Sequence, residues 1–248
     1  MHHTHALIIP VYNGARYLEN TFQELSRLIH SAEKQYCIIF VNDGSTDDSS
    51  TILHRLQGEY GERVRVVEYA ENRGKGYAIR EGVKHVGEHI AYVAFTDVEI
   101  PYGAEVIEKG MEYLAMHPEI AFVYGTRTEA KKSRRQYSLY RMVGTVLFRL
   151  FVPRSVRKIS DTQSGVKIFQ RSIADDIFSR IQTDRWVFDV ELFLIAHARG
   201  MTLSELPVEV KSSCVSTRGG VRFIRHGWEI MRDIIRIRWY AYRKIYTT

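Results

Sequence analysis

Five short apolar runs alternate with amphipathic stretches over the first half of the chain, and this alternation restricts the fold more than any other feature. The runs Ala6–Val11, Tyr36–Asn42, Arg63–Tyr69, Ile90–Thr96 and Ile120–Tyr124 read as strands; Ala15–His30, Ser49–Tyr60, Lys75–Val86 and Ala104–Met116 read as helices. Continuous apolar strands joined by helix-length crossovers predict an α/β domain whose mostly parallel central sheet carries helices on both faces. Asp47, Asp48 and Ser49 supply cap residues to the second helix, and Gly74 and Gly76 open the third. The 248 residues fit one large α/β domain or two small ones; the expected division is one domain at 1–215 and a basic helix at 216–248.

In such a sheet, ligands bind beyond the carboxyl ends of the strands. Four loops would line that rim: 10–14, 42–47, 71–76 and 96–99. In the last, Asp97 and Glu99 put two carboxylates one residue apart where an apolar strand runs out. Such a pair suits a hard cation, Mg²⁺ or Mn²⁺, that bridges to phosphate oxygens, and equally suits solvated loop charges. No Gly-x-Gly-x-x-Gly follows the first strand and no Walker-type loop occurs, which argues against a dinucleotide or P-loop fold. Two cysteines, Cys37 and Cys214, make neither a disulfide framework nor a zinc site and fit a reducing, cytoplasmic setting. His2, His3 and His5 read as a chain end rather than a metal cluster. A strand starting at Ala6 leaves no room for a signal peptide, and no apolar run reaches the roughly 18 residues of a membrane span.

Charge is unevenly distributed. The net charge is +6, but between Arg127 and Lys158 ten Lys/Arg face one acid, Glu129, for +9. Between Arg218 and Lys244 eight face Glu229 and Asp233, for +6, so the remainder is net acidic. Such blocks suit an anionic partner (nucleic acid, a phosphorylated ligand or an acidic membrane surface), or form a solvated basic face. After a stretch that looks helical from Tyr137, the second half shows Asp161–Gly165, a strand at Val166–Phe169, helices at Ile173–Ile181 and Val187–Ala198, and a strand at Thr202–Val210. From Val221 to about Tyr246 one long helix puts Ile224, Trp228, Met231, Ile235, Trp239 and Tyr242 on a stripe beside Arg225, Arg232, Arg236 and Arg243. That pattern predicts a helix lying in the headgroup plane of a membrane, or one packed on the domain with its basic side in water. The aromatics fall at helical core spacing and no nucleic-acid motif occurs, which disfavours a nucleic-acid-binding module.

Taken in order, Ile8-Ile9-Pro10-Val11-Tyr12-Asn13, Val41-Asn42-Asp43-Gly44-Ser45-Thr46-Asp47, Asn72-Arg73-Gly74-Lys75-Gly76 and Asp97-Val98-Glu99 resemble the motifs of the inverting, GT-A-type family 2 glycosyltransferases. Gly125-Thr126-Arg127, the string Asp161–Phe169 and the string Arg185–Glu191 are most similar to the polyprenyl-phosphate branch, the dolichyl-phosphate glucosyl- and mannosyltransferases, with the last two nearer the glucosyl side. The chain departs from the family in carrying Glu99 where aspartate is usual, which moves a carboxylate by about one C–C bond, roughly 1–1.5 Å. Some relatives also carry membrane-spanning helices.

The resemblance implies a division into a nucleotide-sugar-binding half, 1–125, and an acceptor half, 126–215. It implies that Pro10, Tyr12, Asn13 and Asp43 hold the base and ribose of the donor, and that Asn72, Arg73, Gly74 and Lys75 face its diphosphate. Asp43 and the 72–76 segment also read as a helix-capping carboxylate and a Gly-rich turn. Asp97 and Glu99 would hold Mg²⁺ or Mn²⁺ against the diphosphate. Arg127, Arg141 and Thr145, with Asp161 and Gln163, would receive the acceptor phosphate, Arg134 and Arg135 being less defined. Asp189 or Glu191 would be the acidic group near the acceptor. The implied activity is metal-dependent transfer of a hexose, glucose favoured, from a nucleotide sugar such as UDP-glucose to polyprenyl phosphate, on the cytoplasmic face of a membrane. The alternative is a family 2 transferase acting on a hydroxyl of a glycan or glycolipid, which would require a general base.

Overall fold

The computed structural model describes residues 4–30, 36–127, 153, 156–157, 159–211, 214 and 223–247. Strands are β1 (His5–Val11), β2 (Tyr36–Asp43), β3 (Val64–Tyr69), β4 (Tyr92–Phe95), β5 (Phe122–Arg127), β6 (Lys167–Gln170) and β7 (Leu203–Val208). Helices are α1 (Ala15–His30), α2 (Ser49–Tyr60), α3 (Lys75–Lys84), α4 (Ala104–Met116), α5 (Arg171–Arg180), α6 (Phe188–Ala198) and α7 (Phe223–Tyr242). The strands form one sheet in the order β3-β2-β1-β4-β6-β5-β7.

The first half follows the expected α/β winding. β1 pairs in parallel with both β2 and β4, and β2 with β3, so the loops after these four strands share one rim. β2, between two neighbours and two helical layers, is buried at every position, as its apolar run Tyr36–Val41 requires. The second half makes the sheet mixed. β6 runs antiparallel to β4 and β5, while β5 and β7 are parallel. This reversal brings the start of β6, and the Asp161–Val166 segment before it, to the same rim as the ends of β4 and β5.

Alternating strand residues feed two cores. Leu7, Ile9, Ile38, Phe40 and Ile168 face α1, α2 and α4 through Leu18, Phe22, Leu53, Ile107 and Met111. Ile8, Ile39, Phe95, Phe122 and Phe169 face α3, α5, α6 and α7 through Ile79, Ile177, Phe193 and Ile234.

The aromatic stripe of α7 is not the face that packs on the domain. Ile230, Ile234 and Ile237, at steps of four and three, pack on the protein. Trp228 and Tyr242 are 80% and 85% exposed, and Ile235 and Trp239 also point outward. Both stripes are apolar at helical period; the slimmer isoleucines sit on the core. Just past the helix, buried Tyr246 donates a hydrogen bond to Glu191 at 2.7 Å and anchors the C-terminal segment.

Candidate active site

The rim begins with two laced loops. Asn13 adopts a left-handed conformation (φ 49°), tolerable for asparagine, which turns its side-chain carbonyl onto the Thr46 N–H at 2.8 Å. Ser45 and Ser49 accept the Asn13 and Gly14 amides, each at 3.0 Å. Asp47, rather than Asp48, does the capping: it accepts from Ala15 N at the start of α1 and Ser49 N at the start of α2. Tyr12 stays exposed on this loop.

Asp43, at the end of β2, is buried and holds the next loop. Its carboxylate accepts from Tyr69 Oη (2.8 Å), Asn72 Nδ2 (2.7 Å), Arg73 N (2.7 Å) and Gly74 N (2.9 Å). Four acceptor positions are a carboxylate's full capacity. Asp43 therefore meets the 72–74 loop rather than capping α2, and its carboxylate shapes that loop. Burial and the Asp43 contact push the Tyr69 phenol well above its ordinary range. Gly74 has φ +106°, and a Cβ there would lie 2.6 Å from Arg185 Cγ, so glycine is required. The Tyr77 N–H in the first turn of α3 donates to Asp184 O at 3.0 Å. With Arg73 N and Gly74 N also engaged, this helix start is largely satisfied from within the chain. Arg73 lies over the Tyr77 ring, its Cζ 3.8 Å from the centroid.

At the end of β4, Asp97 meets Lys75, with Nζ 2.5 Å from Oδ1. Gly165 faces Asp97 so closely that a Cβ would reach Oδ2 at 2.1 Å, and the β6 start can approach only because residue 165 lacks a side chain. Asp97 is 35% exposed, so its carboxylate opens to the rim. Burial alone would lower the Lys75 ammonium; Asp97 and then Asp189 more than offset this and hold it above the usual lysine range. Glu99 is exposed, and the Tyr17 phenol is pushed up by burial and then by this carboxylate. Immediately after the motif, buried Ile100 has φ 42°, a conformation costly for a β-branched residue and fixed by Ile100 N donating to Asp97 O at 2.9 Å.

Asp189, in the first turn of α6, accepts from Lys167 Nζ at 2.6 Å. Lys167 has no exposed surface. Across the rim, at the end of β5, Arg127 forms a two-pronged pair with Asp161, Nε–Oδ2 2.6 Å and Nη2–Oδ1 2.9 Å. Gln163 is exposed, and its N–H donates to Asp161 at 3.3 Å.

Glu191 departs from the expected role. It is fully buried and accepts from Gln182 N (3.0 Å), Thr183 N (2.8 Å), Thr183 Oγ1 (2.6 Å) and Tyr246 Oη (2.7 Å). One residue pair on, the helical turn points Asp189 to the rim side and Glu191 into the protein, where it ties a loop to the C-terminal segment. Arg134, Arg135, Arg141 and Thr145 lie outside the described residues.

The family model described as glycosyl transferase family 2 matches residues 6–178, from β1 through α5. The chain belongs to glycosyltransferase family 2. Among curated proteins it is similar to a dolichyl-phosphate β-glucosyltransferase of Homo sapiens, 33% identical over 213 residues, covering 82% of this chain and 66% of that protein. A dolichyl-phosphate β-glucosyltransferase of Trichomonas vaginalis is 32% identical over 210 residues, covering 82% of this chain and 64% of that one. The chain thus spans just under two thirds of the length of these relatives. Among solved structures, the fold is similar to glucosyl-3-phosphoglycerate synthase from Mycobacterium tuberculosis in complex with Mn²⁺, UDP-glucose and phosphoglyceric acid (TM-score 0.69, 16% identity, covering 96% of this chain and 79% of that one).

On this family 2 scaffold the structure brings Lys75, Asp97, Asp189, Arg127 and Asp161 to one rim. Lys167, Tyr69 and Gly165 have roles there that motif reading did not assign. The signal for Lys167 was a lone cation inside the apolar run Val166–Phe169. Asp43→Asn would set an amide donor against donors of the 72–74 loop. Its expected effect is a loss of about 1–3 kcal/mol of stability, read by urea unfolding, with weakened nucleotide binding; an unchanged midpoint and affinity would contradict the loop-holding role.

Proposed function

We propose that this chain transfers glucose, with inversion at the anomeric carbon, from UDP-glucose to a polyprenyl phosphate at a membrane surface, with Mg²⁺ or Mn²⁺ at the Asp97–Glu99 motif. The observation that carries the reading is the open Asp97 carboxylate at the end of β4, seated between Lys75 and Gly165 on the rim that also presents the Arg127–Asp161 pair. The names of the human and Trichomonas relatives support the lipid phosphate and the glucose, and the Mn²⁺ and UDP-glucose in the mycobacterial complex support the donor.

Asp97 and Glu99 offer only carboxylate oxygens, and among the described residues no group of three or more His, Cys, Asp or Glu is placed to hold a metal. This donor set fits a hard cation that completes its shell with diphosphate oxygens and water. When bound, such a cation supplies Lewis-acid neutralisation of the departing diphosphate. The chain's own residues do the rest. Lys75 places an ammonium beside Asp97, on the side where negative charge develops. Arg127 comes to the acceptor with its guanidinium already oriented by Asp161, and a guanidinium fork suits phosphate oxygens. A phosphate monoester, with its second pKa near ~6, is largely dianionic at neutral pH and needs positioning more than a base. Its oxygen forms the new bond to the anomeric carbon, the bond to UDP breaks, and the electron pair leaves with UDP; no proton moves. A hydroxyl acceptor would need a general base, and with Glu191 enclosed and Asp189 held by Lys167 the site favours an acceptor that arrives deprotonated.

No helix among the described residues is long and apolar enough to cross a membrane. The outward face of α7 gives a surface attachment instead: Trp228, Ile235, Trp239 and Tyr242 lie beside Arg232, Arg236 and Arg243, an apolar stripe edged with cations.

Transfer assays test the chemistry. Asp97→Ala is expected to lower transfer by at least about 10²-fold, the scale of a lost charge-stabilising group, in a protein that still folds by circular dichroism with a lowered melting temperature, because Lys75 loses its partner; Arg127→Ala is expected to raise KM for lipid phosphate more than for UDP-glucose. Full activity in the first, or a rise confined to donor KM in the second, contradicts the assignment. Vesicle sedimentation tests the attachment: Trp228→Ala with Trp239→Ala should release the protein from anionic vesicles, and unchanged binding would remove α7 from the interface.

A further inference from the structure

Lys167 is buried without exposed surface, begins the inner strand β6 opposite Phe95 and Tyr124 in register, and lies over the rings of Phe95 (5.3 Å) and Phe193 (5.6 Å). Burial pushes its ammonium below the ordinary lysine range, and Asp189 offsets this in part. A lysine in such a place is costly, and a well-packed apolar residue of similar volume is often no less stable. Its contacts give it a purpose. Nζ donates to Asp189 Oδ1 at 2.6 Å and to Ser164 O at 3.0 Å. The first contact fixes the carboxylate at the start of α6. The second holds the backbone one residue before Gly165, which abuts Asp97. One buried cation thus ties the start of α6 to the 161–165 segment, and charge alternates from Asp97 through Lys75 and Asp189 to Lys167.

We propose that Lys167 is a positioning residue for glycosyl transfer: its ammonium fixes Asp189 and the Ser164–Gly165 backbone, and through Gly165 the Asp97 carboxylate that Lys75 bonds. The proposal rests on the reading of this rim as the transfer site. A displacement of about 1 Å in such a constellation can lower a rate by about 10²-fold.

The test is a double-mutant cycle in the full chain with Lys167→Met, Asp189→Asn and both together, assayed for transfer from UDP-glucose to polyprenyl phosphate and for thermal melting. Each single variant is expected to lower kcat by about 10- to 100-fold with donor KM within about threefold. The double variant, with no buried charge left unpaired, should regain the melting temperature but not kcat, and should fall no lower than Asp189→Asn alone. Lys167→Met with wild-type kcat overturns the proposal. So does a double variant that recovers both melting temperature and kcat, which makes the pair purely structural, or one that falls by the product of the two losses. If Lys167→Met does not fold, the comparison of the double variant with Asp189→Asn decides by the same criteria. Should Asp189→Asn and Asp97→Ala both keep full activity, the reading of the rim fails instead.

Discussion

A lysine with no contact with water must be answered by the protein, and the arrangement of the rim follows from how Lys167 is answered. Its partner Asp189 must reach into the sheet from the first turn of α6, which sets where that helix begins. Asp189 also favours the charged form of Lys75 electrostatically, and Lys75 bonds Asp97. Because each charge lies next to one of opposite sign, none is left buried and unpaired, a condition whose breach is strongly destabilising. The chain of charges ends at Asp97, its most exposed member.

Other carboxylates, on the rim and beneath it, do a different job. Asp43 and Glu191 each accept four hydrogen bonds, and Asp47 reaches the starts of two helices. They hold the 72–74, 182–183 and 13–15 backbone in place before any ligand arrives. Preorganisation of this kind lowers the ordering cost of binding and keeps charged groups aimed where charge develops. The strained backbone at Ile100 belongs to the same economy of shape, since it turns the chain sharply after Glu99.

Much of this was legible in the sequence where the information is local. Helix boundaries such as Ala15–His30, Ser49–Tyr60 and Ala104–Met116 follow from caps and periodicity, and the four rim loops follow from the strands that precede them. What was not legible depends on distant neighbours. Val166–Phe169 reads as a strand, but nothing in its four residues says that it inserts antiparallel between β4 and β5, which is what carries Gly165 to Asp97. Asp189 and Glu191 look alike in sequence, and only the packing of Gln182, Thr183 and Tyr246 around one of them separates their roles. In α7 two apolar stripes share one period, and the choice of Ile230, Ile234 and Ile237 for the core is made by the surface they meet.

The central claim is that Asp97 couples a divalent cation to the diphosphate of the donor. Phosphorus NMR relaxation of UDP bound to the protein, titrated with Mn²⁺, addresses it directly, because the paramagnetic effect falls steeply with metal–phosphorus distance. The account predicts strong Mn²⁺-dependent relaxation of both phosphorus signals in the wild-type complex and its loss in Asp97→Asn. Relaxation that is the same in both proteins, or UDP binding indifferent to Mn²⁺ and to chelator, would contradict it.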